Sequence, residues 1–376
     1  METPRVIDAA FWAGGAARLM EPGPAGMFDW VASQDALGGQ VLFRTSGSTG
    51  EGKWVGLSVE ALRSSAVAVN EHLAVGSGDV WGRALPERHV GGFGVEARGY
   101  FSGTRVERYA GKWEAGEFCR WLARTGVTLV TMVPTQVVDL VAGRHPAPGP
   151  VRAVVVGGGA LDEAVGEAAR ALGWPVLASF GMTEAGSQVA TAGLSQLGER
   201  FAAGRLPLLG PWDARVDVDG RLALRGTPLF SGYVVAAGAG WEFLPRTGDW
   251  FQTSDHVALD GRLVTPLGRA DRRVKVLGEL VDLDEIHRAL GKFIAPGGWS
   301  VVDLPDPRRG ARIVLVTESA PPGPEMLADI AAYQAQAPGP ERLAATAVVP
   351  EFPRSALGKL RVAELRRIAA GCANNL

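Results

Sequence analysis

At 376 residues the chain exceeds what one ordinary hydrophobic core organises, so a large and a small domain are expected. Hydrophobic residues make up 47% and charged residues 21%, a globular composition, and a formal net charge of −2 gives no electrostatic reason to bind nucleic acid or an anionic membrane surface. Two cysteines, Cys119 and Cys372, cannot build a disulfide framework and belong to no close Cys/His cluster, which favours a reducing compartment and disfavours structural zinc.

The opening stretch METPRVIDAAFWAGG carries acidic residues and lacks the long apolar core of a signal peptide. No apolar run approaches the ~20 residues of a membrane span, so a cytoplasmic location is expected. Gln40–Phe43 (QVLF) is a short apolar run entering the glycine-rich stretch RTSGSTGEGKW at 44–54. From Ser58, SVEALRSSAVAVNEHL offers a Ser cap and helical spacing of Val59, Leu62, Ala66, Val69 and Leu73. Strand, glycine-rich turn and helix are therefore expected in succession. Phe118–Gly126 reads as an amphipathic helix, Val127–Val133 as a buried strand ending at Pro134, and Thr135–Val141 as the next helix. Val151–Val156 is a strand that runs into Gly157-Gly158-Gly159 and a helix from Leu161. Val176–Phe180 precedes the loop Gly181-Met182-Thr183-Glu184. This alternation predicts an α/β protein whose large N-terminal domain carries a mostly parallel, layered sheet.

After Gly210 the rhythm changes. Val216–Gly226 (VDVDGRLALRG) and Val257–Val264 (VALDGRLV) each set Asp-Gly between alternating strands, which predicts an antiparallel segment. Arg269-Ala270-Asp271-Arg272-Arg273 is a charged, joining stretch. A strand at Arg312–Thr317, a helix at Met326–Ala337 and a basic helix from Lys359 complete a small α+β domain. The expected division is 1–268 and 269–376.

Read from Gly47, the glycine-rich stretch fits the G-x-x-x-x-G-K of a P-loop. The residue after Lys53 is Trp54, however, where a P-loop needs a magnesium-ligating hydroxyl. Glycines at 47, 50 and 52 would let the backbone approach an anion. A solvated turn without ligand is the plainer alternative.

Five stretches in order, TSGSTGEGK at 45–53, FGMTEAGS at 180–187, TSD at 253–255, GRADRRVKVLGELVDLDEI at 268–286 and PRSALGK at 353–359, resemble the adenylate-forming acyl-CoA synthetase superfamily. The likeness runs from about residue 41 to 366. The stretch before the glycine-rich loop is shorter than in the family, so an N-terminal subdomain is expected to be missing. Val133-Pro134-Thr135-Gln136, Val156-Gly157-Gly158-Gly159, and Gly181-Met182-Thr183-Glu184 followed by Ser187-Gln188 are most similar to the o-succinylbenzoate–CoA ligases of menaquinone biosynthesis.

The resemblance implies an AMP-forming acid–CoA ligase. A carboxylate joins the α-phosphate of ATP, pyrophosphate leaves, and the thiol of coenzyme A attacks the acyl-adenylate. It implies ATP, Mg²⁺ and coenzyme A, with o-succinylbenzoate as the acid. A different aryl or acyl acid, carrier-protein loading, and a nucleotide-binding homologue without catalysis are the alternatives. Partners are then small molecules, without nucleic acid or membrane; a homodimer is compatible with this.

By the same resemblance, Thr45, Ser46, Gly47, Ser48, Thr49, Gly50 and Lys53 hold the β- and γ-phosphates. Gly158, Gly159, Phe180, Gly181 and Met182 surround the nucleotide, with Phe180 on adenine. Thr183 donates to the α-phosphate and Glu184 binds Mg²⁺, although Thr-Glu alone is an ordinary helix-capping pair. Asp255, reinforced by Arg269, takes the ribose hydroxyls. Thr247-Gly248-Asp249 matches the family's letters there, but Thr253-Ser254-Asp255 matches its spacing. Asp271 is the hinge, Gly278 the turn at the thiol tunnel, and Lys359 the lysine bridging the acid's carboxylate and the α-phosphate. His89, Gly158, Ser187 and Gln188 lie near the acid. His89 could equally be a satisfied structural histidine, and Ser187 and Gln188 first-turn helix residues. Arg98 is conceivable as the partner of the acid's second carboxylate.

Overall fold

The computed structural model describes residues 7–45, 53–238, 240–269, 272–277, 279–306, 308–355, 358 and 360–375. The apolar runs of the N-terminal half form a six-stranded sheet. Its order is Arg105–Arg108, Val80–Arg83, Leu129–Met132, Ala153–Val156, Val176–Met182, Ser187–Thr191. The first five strands run parallel, and Ser187–Thr191 returns antiparallel. Every residue of Leu129–Met132 and Ala153–Val156 is buried, as strands covered on both faces require.

Helices Val59–His72 and Val90–Ser102 pack together, while Ala115–Thr125, Pro134–Ala142 and Glu163–Ala171 pack in series. Strand order explains this grouping. The crossover through Val90–Ser102 steps outward from Val80–Arg83, and the one through Ala115–Thr125 steps back past it. Right-handed crossovers in opposite directions place their helices on opposite faces. The reversal falls between Val80–Arg83 and Leu129–Met132, and the carboxyl ends of the strands part at such a point to leave a crevice. Ala115–Thr125 shows how the sequence sets a helix. The Glu114 carboxylate accepts from the amides of Gly116 and Glu117, Phe118, Trp121 and Leu122 share the buried face, and Gly126 ends the helix at φ 68°. Burying each of those side chains stabilises by about 2 kcal/mol.

The expected strand–turn–helix around the glycine-rich stretch is corrected. Gln40–Thr45 and Lys53–Ser58 are antiparallel partners, with Thr45 opposite Lys53, so the stretch joins two strands and Lys53 opens the second. Trp54, Val55 and Leu57 are buried and make Lys53–Ser58 a strand. The helix starts only at Val59, capped by the Ser58 hydroxyl, which accepts from the Ala61 amide at 3.0 Å. Gly232–Ala237 and Gly240–Pro245 extend this sheet as a hairpin.

The antiparallel segment is present, in the order Leu206–Pro207, Leu263–Arg269, Phe251–Asp260, Arg221–Gly226, Trp212–Val216. Its two Asp-Gly turns place Gly220 at φ 77° and Gly261 at φ 57°.

By internal contacts the chain divides into two units. The first comprises Met1–Arg215, Ala223–Gln252 and Leu259–Thr265; the second comprises Val216–Leu222, Thr253–Ala258 and Pro266–Leu376. The second unit is α+β. Its sheet, Trp299–Asp306, Gly310–Glu318, Leu343–Val349 and Asn374–Asn375, alternates its side chains between two small cores. Val301, Ile313 and Leu315 face Ile286 and Leu290 of helix Leu283–Leu290 and Ile330 and Tyr333 of helix Pro324–Gln336. Val302, Val314 and Val316 face Leu365 and Ala369 of helix Val362–Ala370. The last helix begins at Val362 and not at position 359; before it, Arg354 bridges Leu360 and Gly358 is left-handed (φ 72°). No helix among the described residues is long and apolar enough to cross a membrane.

Candidate active site

The carboxyl ends of the parallel strands gather several of the residues singled out above. Val80–Arg83 leads to His89, Leu129–Met132 to Val133–Gln136, Ala153–Val156 to Gly157–Gly159, and Val176–Met182 to Thr183 and Glu184. His89 is the N-cap of helix Val90–Ser102, and its carbonyl accepts from the amides of Gly92 and Phe93. Its buried Nε2 has no hydrogen-bond partner. Burial, then the adjacent Arg88 charge, lowers the imidazole to about 4, so it is neutral at ordinary pH.

Arg98, two turns further along that helix, is 1% exposed. Nη1 donates to Thr131 Oγ1 at 3.1 Å and Nη2 to Ser187 Oγ at 3.4 Å. The guanidinium lies 5.2 Å from the Trp81 ring centroid, and Nε has no partner. Among the described residues no carboxylate pairs with it. Burial alone brings its pKa down to about 10. A buried cation satisfied only by hydroxyls and a ring is an incomplete constellation, and an anion would complete it.

Ser187 and Gln188 lie on a strand and not in a helical turn, which corrects that alternative. Thr183–Ala185 is a single 3-10 turn, and Gly186 at φ 64° sends the chain back along Val176–Met182. Gly181 makes the return possible, since a Cβ there would stand 1.8 Å from the Ser187 carbonyl oxygen. Ser187 itself sits at φ 125°, a strained conformation for a residue with a side chain. Gln188 Oε1 accepts from Thr191 Oγ1 at 2.5 Å, while its buried Nε2 is unpartnered. The Gly158–Gly159 corner packs on the next strand's end, with Gly158 at φ 79° and its Cβ position 3.5 Å from Val133 Cγ1. Phe180, Met182 and Thr183 are half-buried at the same edge.

Glu184 is held from three sides. Its carbonyl accepts from the Phe230 amide at 2.9 Å, and its Oε1 accepts from the Tyr233 hydroxyl at 3.0 Å. Lys53 Nζ lies 3.3 Å from the same Oε1 and 3.7 Å above the Tyr233 ring centroid. Burial and then the Glu184 charge raise the Tyr233 phenol well above its ordinary value, so it remains a donor. Thr45 Oγ1 donates to the Lys53 carbonyl at 3.3 Å. Ser46, Gly47, Ser48, Thr49 and Gly50 lie outside the described residues. So do Asp271, Gly278 and Lys359. The described residues contain no cluster of three His, Cys, Asp or Glu side chains able to cage a metal. Glu184, a lone carboxylate whose contacts among the described residues meet it at Oε1, fits a hard cation that keeps water and phosphate as its other ligands.

In the second unit, Arg269 Nη1 donates to Asp255 Oδ1 at 3.4 Å and Nη2 to Ser254 Oγ at 2.7 Å. Thr253 Oγ1 accepts from the Asp255 amide at 3.1 Å and donates to the Leu222 carbonyl at 2.8 Å. Thr253-Ser254-Asp255 is thus wired to Arg269, whereas Asp249 is exposed in a bend.

Sequence reasoning missed Tyr233 and Thr131. Tyr233 lies 49 residues from Glu184 in a strand with no motif, and Thr131 reads as one polar interruption of a buried strand.

Known proteins bear on this arrangement. The profile of the AMP-binding enzyme family matches residues 40–234. A Mycobacterium tuberculosis protein described as a probable 2-succinylbenzoate–CoA ligase is 29% identical over 344 residues, spanning 88% of this chain and 84% of its own. The 2-succinylbenzoate–CoA ligase of Listeria monocytogenes is 28% identical over 281 residues, 72% of this chain and 57% of its own. The fold matches o-succinylbenzoate CoA synthetase of Bacillus subtilis, solved with the acyl-adenylate intermediate, at a TM-score of 0.74 and 22% identity, over 87% of this chain and 68% of that one. ATP-bound MatB of Rhodopseudomonas palustris matches equally, at a TM-score of 0.74 and 23% identity, over 87% and 67%. With its family profile covering more than half its length and its fold shared with adenylate-forming enzymes, the chain belongs to the AMP-binding enzyme family.

Proposed function

We propose that this enzyme is an AMP-forming acid–CoA ligase that converts o-succinylbenzoate to its coenzyme A thioester. The relatives' names support the acid, and Arg98 is the observation that carries it. O-succinylbenzoate has two carboxylates, and only one reacts. The other needs a cation, and the buried guanidinium of Arg98 has no carboxylate of its own among the described residues.

In this reading, Lys53 and the backbone and hydroxyls of residues 45–50 receive the β- and γ-phosphates, with Gly158, Gly159, Phe180, Gly181 and Met182 around the nucleotide. Asp255 accepts the ribose hydroxyls and Arg269 orients it. Magnesium, held by Glu184, would supply charge neutralisation at the phosphates. Thr183 donates to the α-phosphate, and Lys359 sits between that phosphate and the reacting carboxylate, where it lowers the repulsion between two anions. The carboxylate oxygen bonds to the α-phosphorus and pyrophosphate leaves. In the second step the thiol sulfur bonds to the acyl carbon, the thiol proton is lost, and AMP leaves. His89, neutral and half-buried, packs beside the acid with Gly158, Ser187 and Gln188. Residues 269–376 act as the mobile domain about Asp271. The same reading carries a cytoplasmic location, small-molecule partners and no requirement for nucleic acid or membrane.

Purified protein with ATP, Mg²⁺, coenzyme A and o-succinylbenzoate should yield the thioester, detected by mass. A strong product signal with benzoate or a fatty acid, and none with o-succinylbenzoate, would overturn the substrate assignment.

A further inference from the structure

The Glu184 carboxylate is bound asymmetrically. Among the described residues its side-chain partners are the Tyr233 hydroxyl and Lys53 Nζ, and both meet it at Oε1. The two partners also touch each other, since Lys53 Nζ rests on the Tyr233 ring face. They differ in what the reaction asks of them. Lys53 is the cation the phosphates must attract, so it has to leave Glu184 when nucleotide arrives. Tyr233 is neutral and half-buried in the sheet, opposite Val55 on the strand that Lys53 begins, and has no such call on it.

We propose that Tyr233 is the positioning residue of the metal site: its hydroxyl holds Oε1 of Glu184 so that the carboxylate keeps its orientation after Lys53 departs to the phosphates. The backbone supports this arrangement. The Phe230 amide holds the Glu184 carbonyl, so the segment Phe230–Tyr233 grips both the main chain and the side chain of one residue. The Phe230 ring packs on the Tyr233 ring at 4.6 Å between centroids and limits its swing. Hydrogen bonds that orient a ligating carboxylate ordinarily matter by about 10- to 100-fold in metal affinity. Tyr233→Phe is the informative variant because it removes only the hydroxyl and leaves the ring face under Lys53.

This inference rests on the reading of Glu184 as the metal ligand, and the experiment separates the two. Mn²⁺ binding to the full chain is measured by electron paramagnetic resonance with α,β-methylene-ATP present, for wild type, Tyr233→Phe and Glu184→Gln. The thermal midpoint and the Mg²⁺ dependence of ATP–pyrophosphate exchange are recorded alongside. Tyr233→Phe should weaken Mn²⁺ by about tenfold, raise the Mg²⁺ needed for half-maximal exchange in parallel, and lower the rate at saturating Mg²⁺ much less. Wild-type Mn²⁺ affinity in Tyr233→Phe, with Glu184→Gln impaired, would overturn the role of Tyr233, and so would a lowered thermal midpoint without change in affinity. Wild-type affinity in Glu184→Gln would instead overturn the metal ligand itself.

Discussion

Arg98 is a buried cation, and its burial is costly. A guanidinium taken out of water loses several kcal/mol of solvation, and two hydroxyls and an aromatic face return only part of it. Arg98→Met should therefore fold at least as stably as wild type, by thermal midpoint, yet raise the KM for o-succinylbenzoate by about two orders of magnitude, in line with the cost of leaving a buried anion unpaired. The KM for ATP should stay near wild type. His89 makes a second residue-scale prediction. Its folded pKa is about 4 against an ordinary 6.5, so between those values the unfolded chain binds a proton that the native protein refuses. Stability present above pH 6.5 should be lost as pH falls to about 4 and change no further from this group below that. The urea midpoint followed from pH 7.5 to 4 should show a shallower decline in His89→Gln than in wild type.

At the scale of elements, the return from Val176–Met182 to Ser187–Thr191 governs the site. It sets Thr183 and Glu184 at the turn and delivers the Ser187 hydroxyl to Arg98. Gly181→Ala would drive a methyl into the Ser187 carbonyl, a backbone clash that no rotamer relieves. It should destabilise by about 3 kcal/mol or more, read as a drop in denaturant midpoint, and abolish ATP–pyrophosphate exchange even where the protein remains folded. This scale is also where sequence reading was weakest. Strand, glycine-rich turn and helix were expected in succession, with no strand between turn and helix; pairing with Gln40–Thr45 on one side and Gly232–Ala237 on the other makes Lys53–Ser58 a central strand. A helical first turn was the alternative reading of Ser187 and Gln188, and a left-handed Gly186 sends them into a strand instead.

At the scale of the whole molecule, the proposed reaction asks two different things of the C-terminal residues, one in each half-reaction. Lys359→Ala should reduce acid-dependent ATP–pyrophosphate exchange by several orders of magnitude and leave thioester formation from supplied acyl-adenylate largely intact. Equal loss of both half-reactions would contradict the role given to Lys359. Much of the molecule was legible beforehand for a physical reason. Alternating apolar runs and helical spacings are local consequences of burial, so the parallel layered sheet, the two Asp-Gly hairpins and the α+β character of the second unit could be read directly. Contiguous motifs carry family chemistry in a few residues, so membership of the AMP-binding enzymes was equally readable. Only the tertiary structure could decide that Arg98, without a carboxylate among the described residues, stands between Thr131 and Ser187, 33 and 89 residues away. The same holds for Tyr233 and Lys53 meeting on one oxygen of Glu184. Those contacts join strands and helices distant in the chain, and the burial that makes them consequential exists only once the sheet has closed around them.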